Sequence, residues 1–223
     1  MTQTRQSERD QVELSRRERE ARRDIRVIGD PVLRERALEV TTFDRGLGKL
    51  AKRMIRIMHD APGVGLAAPQ IGVLQRLLVY DVDDDPRVLV NPQLDELSEE
   101  TEETDEGCLS VPGVTMPVSR PVSLRVRALD ASGEPLEFRA EGLVARVIQH
   151  ELDHLEGVLI VDRTSRSARA AALRELRDRE DAGLRDGVHQ PGFSIHGRHA
   201  DGNRGIPFEP NSLATAQQLI ELA

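Results

Sequence analysis

Apolar positions recur at helical spacing in two stretches and at strand spacing in others. Over 44–60 (DRGLGKLAKRMIRIMHD), Leu47, Leu50, Met54 and Ile57 fall three or four residues apart, and Met58 falls four after Met54. That pattern predicts an amphipathic helix, ended by Pro62-Gly63. Over 143–156 (LVARVIQHELDHLE), Leu143, Val147, His150 and His154 follow at intervals of 4, 3 and 4. The second helix therefore carries two histidines on an apolar stripe, and Gly157 stops it at the C′ position. Leu74–Val82 and Val88–Val90 are apolar and β-branched, with DDDPR (83–87) between them, and read as a hairpin. Residues 122–129 (VSLRVRAL) alternate and turn at Ser132-Gly133 into a second hairpin strand over 135–140. A further helix, rich in Ala, Arg and Glu, is expected from a Thr164 or Ser165 cap through Asp181. Together these predict an α+β fold in which antiparallel β-sheets wrap around the buried 143–156 helix, with a C-terminal helix and polar tails.

The remaining stretches organise the chain around that unit. Residues 1–24 hold seven Arg and six acidic residues with few apolar ones. They fit either a solvated helix held by i,i+4 ion pairs or a flexible extension, and the absence of an apolar face favours the flexible one. The expected division is a charged extension over 1–24, a catalytic domain over 25–165, a C-terminal helix over 166–186 and a polar tail over 187–223. The tail closes with a short helix at 212–222. Residues 95–106 carry eight carboxylates and no base, which predicts an exposed segment. The loop GVGLAAPQIG (63–72) is punctuated by glycine.

Composition narrows the function. The 223 residues carry a net charge of −8, with one cysteine and no tryptophan. One cysteine excludes an internal disulfide framework. An acidic balance with five aromatic residues disfavours nucleic-acid binding. The first twenty residues contain no apolar segment of the secretory type, and no stretch reaches the ~18–20 apolar residues of a spanning helix. These features lead to the expectation of a cytoplasmic protein that does not enter a membrane.

The chemistry is concentrated in His150-Glu151-Leu152-Asp153-His154. On a helix, positions i and i+4 stand one above the other, so both imidazoles reach one metal ion. Glu151, turned by about 100°, stays beside the site as a carboxylate able to take a proton from water. A third ligand is needed. The histidine of an extended HExxHxxGxxH motif would fall at position 160, which is Ile160. On residue chemistry alone two candidates stay open, Cys108 in Glu106-Gly107-Cys108-Leu109-Ser110 and Glu175 in the later helix. Cys-His-His leaves a fourth position for water, as catalytic sites do. His189, His196 and His199 in the tail are read as part of a polar segment. Glu106 and Arg146 are placed as a pair at the rim. A metal-stabilised binding module acting at the ribosome is a further, non-enzymatic alternative.

Three blocks, GVGLAAPQIG (63–72), EGCLSVPG (106–113) and QHELDHLEG (149–157), resemble the peptide deformylase family in sequence, order and approximate spacing. VIGDPVLR (27–34) and LVNPQL (89–94) fit as well, so the resemblance spans about 25–165. It implies hydrolysis of the N-formyl group from the initiator formyl-methionine of newly made polypeptides, with release of formate. Cys108, His150 and His154 would bind one Fe2+, with Zn2+, Ni2+ or Co2+ as substitutes. Glu151 would be general base and then general acid, while the Gln70 amide and the Leu109 N–H serve the oxyanion. Gly65 and Gly107 would flank the peptide, which pairs as an added strand. Val64, Leu143 and Val147 are the candidates for a methionine pocket. The N-formyl-methionyl peptide is the expected partner, with the ribosome as a further candidate and a monomer as the expected state.

Overall fold

A computed structural model of the chain describes residues 2–182. Helix α1 (Thr2–Asp24) leads into a short 3-10 turn at Pro31–Arg34. Asp30 caps that turn, its side chain accepting from the Val32 N–H. Helix α2 (Arg45–Asp60) begins at Asp44, whose carboxylate accepts from the Gly46 and Leu47 N–H groups. Its stripe faces inward as predicted. Leu47, Met54, Ile57 and Met58 are buried and Leu50 is half-buried.

Among the described residues seven strands follow. β1 (Gly65–Ala67), β2 (Leu77–Tyr80), β3 (Arg87–Asp95), β6 (Ser123–Leu129) and β7 (Pro135–Glu141) form one antiparallel sheet in the order β1-β2-β3-β6-β7. β4 (Thr101–Cys108) and β5 (Val111–Pro121) form a separate antiparallel ribbon. Helix α3 (Gly142–Leu155) lies against strands of both sheets, and helix α4 (Arg166–Asp181) covers β5. The expected α+β architecture, sheets around a central helix, is the one observed.

α3 is buried on more than one stripe. Every residue from Ala145 to Glu151 is buried, and so are Asp153, His154 and Leu155. Ile148 and Leu155 are fully covered, which contributes roughly 1.5–3 kcal/mol for each such side chain. The helix stops at Gly157, whose φ of +73° is left-handed. A Cβ there would meet the Arg34 carbonyl oxygen at 2.6 Å, so glycine is required twice over.

Three expectations need correction. Residues 2–24 form helix α1 instead of an extension without regular structure, with ion pairs such as Arg22–Glu18 at 2.7 Å between successive turns. The acidic run 95–106 is not uniformly exposed. It enters β4, where Glu102 and Glu103 face solvent while Glu106 is fully buried. The Glu106–Arg146 pair, placed at the rim, lies in the interior. β5 was not anticipated, because Pro112, Gly113, Pro117 and Pro121 break its pattern. The tail, its closing helix, its three histidines and the end of the 166–186 helix lie outside the described residues.

Candidate active site

Two elements deliver the candidate ligands. On β4, side chains alternate between faces, so Glu106 and Cys108 point to the same interior side. The ribbon register shifts between Gly107 and Cys108. That bulge re-aims the strand end at α3. On α3, His150 and His154 stack with ring centroids 5.2 Å apart. Cys108 Sγ lies 3.2 Å from His154 Nε2. One ligating atom from each of Cys108, His150 and His154 falls within 4.8 Å of the others, and all three residues are buried. Glu175, the competing third ligand, is elsewhere, paired with Arg179 on the exposed side of α4.

This donor set fits a divalent cation. Bonds of about 2.0–2.3 Å to nitrogen and sulfur bring neighbouring donors within about 4 Å of each other, so small side-chain adjustments close the shell. His150 Nδ1 is taken by Glu106 at 3.0 Å, which leaves Nε2 for the ion. Among the described residues no fourth Cys, His, Asp or Glu joins the cluster. Burial lowers the proton affinity of His150, yet its bonds to Cys108 and Glu106 override that and hold its pKa well above the usual imidazole value. His154, desolvated and facing the His150 charge, is shifted the other way and stays neutral.

Glu151 is 4% exposed, and its Oε2 has no hydrogen-bond partner among the described residues. Burial pushes its carboxyl up to about 7, against the pull of His150 and Arg120. A Cβ on Gly65 would lie 2.9 Å from the Glu151 Cδ, so this glycine makes the room that the carboxylate occupies. Gln70 is buried beside the cluster. Its Oε1 accepts from the Ala67 N–H at 2.7 Å, which fixes the amide so that Nε2 faces Ser110 Oγ at 3.2 Å and Cys108 Sγ at 3.9 Å. Leu109 is half-buried between Cys108 and Ser110, with its side chain near Gly63. Val64, Leu143 and Val147 share one apolar cluster, Val147 buried and the other two half-buried. Gly107 sits in β4 opposite Thr115, with space around it.

Of the layer behind the ligands, sequence reasoning found only the Glu106–Arg146 pair, which it placed at the rim. Arg120 on β5 donates to both Glu106 oxygens, at 2.6 and 2.9 Å, and to Asp153 at 2.9 Å. Arg146 donates to Glu106 at 2.9 Å and to the Glu102 and Val118 carbonyls. Burial opposes ionisation of Glu106, but Arg120 and His150 outweigh it and hold the carboxyl far below the ordinary range. No spacing rule links these residues, which come from three elements.

A buried helix bearing two imidazoles and a free carboxylate, joined by a thiol from a neighbouring strand, defines a metal-dependent hydrolase. Comparison with known proteins agrees. The polypeptide deformylase family model matches residues 22–170, and the chain belongs to that family. It is 52% identical over 161 residues to the peptide deformylase of Acidothermus cellulolyticus, covering 72% of this chain and 89% of that protein. A crystal structure of a peptide deformylase from Legionella pneumophila superposes with a TM-score of 0.68 at 43% identity, covering 73% of this chain and 98% of that one. One from Synechococcus elongatus, in complex with actinonin, gives 0.67 at 42% identity over 69% and 85% of the two chains. The chain is accordingly an enzyme that removes the N-formyl group from the initiator formyl-methionine of newly made polypeptides and releases formate. No described helix is long and apolar enough to cross a membrane.

Proposed function

We propose that Cys108, His150 and His154 hold one Fe2+, with Zn2+, Ni2+ or Co2+ as substitutes, and that Glu151 moves the proton. When bound, such an ion lowers the pKa of water and supplies positive charge to a developing oxyanion. The chain does the rest. Glu151 takes a proton from the attacking water as the new C–O bond forms at the formyl carbon. It then gives that proton to the amine nitrogen as the C–N bond breaks, leaving formate and a free α-amine. Gln70 Nε2 and the Leu109 N–H donate to the oxyanion, where one donor is typically worth about 3 kcal/mol. The observation that carries this reading is the buried Glu151 carboxylate with a free oxygen, one residue past a ligand and against Gly65.

The substrate runs between two open strand edges. Among the described residues β1 is the outer strand of its sheet, and β4 pairs only with β5. A peptide lying beside Gly65 and Gly107 adds a strand there with no side chain of either glycine in its way. Its methionine side chain enters among Val64, Leu143 and Val147, which share one apolar cluster, the last two on the same face of α3 as His150. The enzyme works as a monomer in the cytoplasm, with the ribosome as the place where it meets its substrate.

Formate release from formyl-Met-Ala-Ser tests the core of this reading. Glu151→Ala is expected to lose about 10²–10⁴-fold in rate while still binding metal. Near wild-type turnover in that variant would remove Glu151 from the mechanism. Cys108→Ser is expected to lose metal and Glu175→Ala to keep it. Metal analysis of protein purified without oxygen separates iron from zinc.

A further inference from the structure

Glu106 is fully buried, and the hydrolysis set out above gives it no task. Isolating a carboxylate from water costs several kcal/mol unless donors surround it. Here three donations come from Arg120 and Arg146, and the fourth contact is His150 Nδ1 at 3.0 Å. An ionised carboxylate only accepts, so Nδ1 carries the hydrogen and donates. In the neutral ring that binds a metal, the lone pair is then on Nε2. Glu106 and Cys108 stand two residues apart on the same face of β4, so one strand face brings both the sulfur ligand and the group that turns the ring of the helix ligand. Arg146 comes from α3 itself and Arg120 from β5. The carboxylate is thus pinned between the ribbon and the helix.

We propose that Glu106 is a positioning residue of the metal centre: held by Arg120 and Arg146, it fixes the His150 tautomer and ring angle and so preassembles the site. This rests on the reading of His150 as a ligand. A carboxylate behind a metal-bound imidazole orients it and raises its basicity, and its loss typically costs about 10–100-fold in metal affinity. A merely structural clamp would leave affinity unchanged in any variant that folds.

Two measurements on the full chain decide the matter. In zinc-loaded protein with 15N-labelled histidine, the His150 ring is expected to show hydrogen on Nδ1 and metal on Nε2; the reverse overturns the proposal. In Glu106→Gln, an amide N–H turned towards the ring competes with the required tautomer. Folded Glu106→Gln is expected to bind zinc about 10–100-fold more weakly in chelator competition. Binding within about threefold of the parent overturns the proposal, because loss of an orienting partner should exceed that. If Glu106→Gln does not fold, the ring assignment in the parent decides alone. Zinc loss in His150→Ala tests the underlying ligand reading separately. If that variant keeps full affinity, the ligand reading and the proposal fail together.

Discussion

Helices α1 and α3 use the same charged residue types in opposite ways. On α1, arginine and glutamate meet one turn apart at the surface, as in Arg16–Glu13 at 2.8 Å with more than 40% of each side chain exposed. On α3, Arg146, His150 and Asp153 meet partners on β4 and β5 that lie 28–44 residues away, in the interior. An exposed pair in water gains a few tenths of a kcal/mol and constrains only its own turn. A dry network gains little net stability over an apolar core, but it cannot lose a member cheaply, because the remaining charge is stranded. The difference teaches that a charge on a helix is structural or incidental according to what stands opposite and how much water reaches it. In this enzyme the dry network surrounds the ligands.

The hardest test of that contrast is Arg120→Ala. It removes two of the donations to Glu106, leaving those of Arg146 and His150, and one of those to Asp153, and an expected loss of about 3 kcal/mol follows from leaving buried carboxylates underpaired. Urea unfolding measures it directly. A loss below about 1 kcal/mol, the size of a surface pair, would place the two helices on the same footing.

A smaller effect separates two glycines that the sequence presents as equivalents. A Cβ on Gly65 would run into the Glu151 carboxylate on α3, whereas one on Gly107 meets only Thr115 Cγ2 at 3.7 Å. Gly65→Ala is expected to displace Glu151 and lower kcat by about 10²-fold, as a misplacement of about 1 Å can. Metal content should be unchanged. Gly107→Ala should keep kcat and act on KM, through the peptide that passes it. Equal losses of kcat in the two variants would mean that close packing against α3 is not what makes Gly65 strict.

These residues also show where sequence reasoning stopped. The ligands on α3 were legible because a helix repeats locally, so His150 and His154 declare their common face by spacing alone. Cys108 was legible only through its motif, since nothing local brings a strand residue to a helix forty residues away. Glu106 was legible as a partner of Arg146 but was placed at the rim, because only the pairing of β4 with β5 turns it into the interior. Arg120 was invisible because it follows a proline-broken stretch with no period. The residues over 2–24 offered an ion-paired helix or a flexible extension, and the missing apolar face favoured the extension, whereas the turn-to-turn pairs of α1 match the helix.

Those same pairs supply the gentlest test. Glu18 accepts from Arg22 Nε at 3.0 Å and Nη2 at 2.7 Å, with a quarter to a third of each side chain exposed. Glu18→Gln keeps the side-chain length and removes the charge, so its expected cost is that of one i,i+4 pair, about 0.2–0.5 kcal/mol. Salt sharpens the result. At about 1 M the screening length falls to about 3 Å, and the parent and Glu18→Gln should then unfold at the same urea concentration. The Arg120→Ala loss should persist in that salt, because ions do not enter the interior that Glu106 occupies. If the Glu18→Gln effect instead survives high salt, or exceeds about 1 kcal/mol, then α1 is held by more than exposed charge. Its contact with α2, through the buried Ala21, would then be the next position to change.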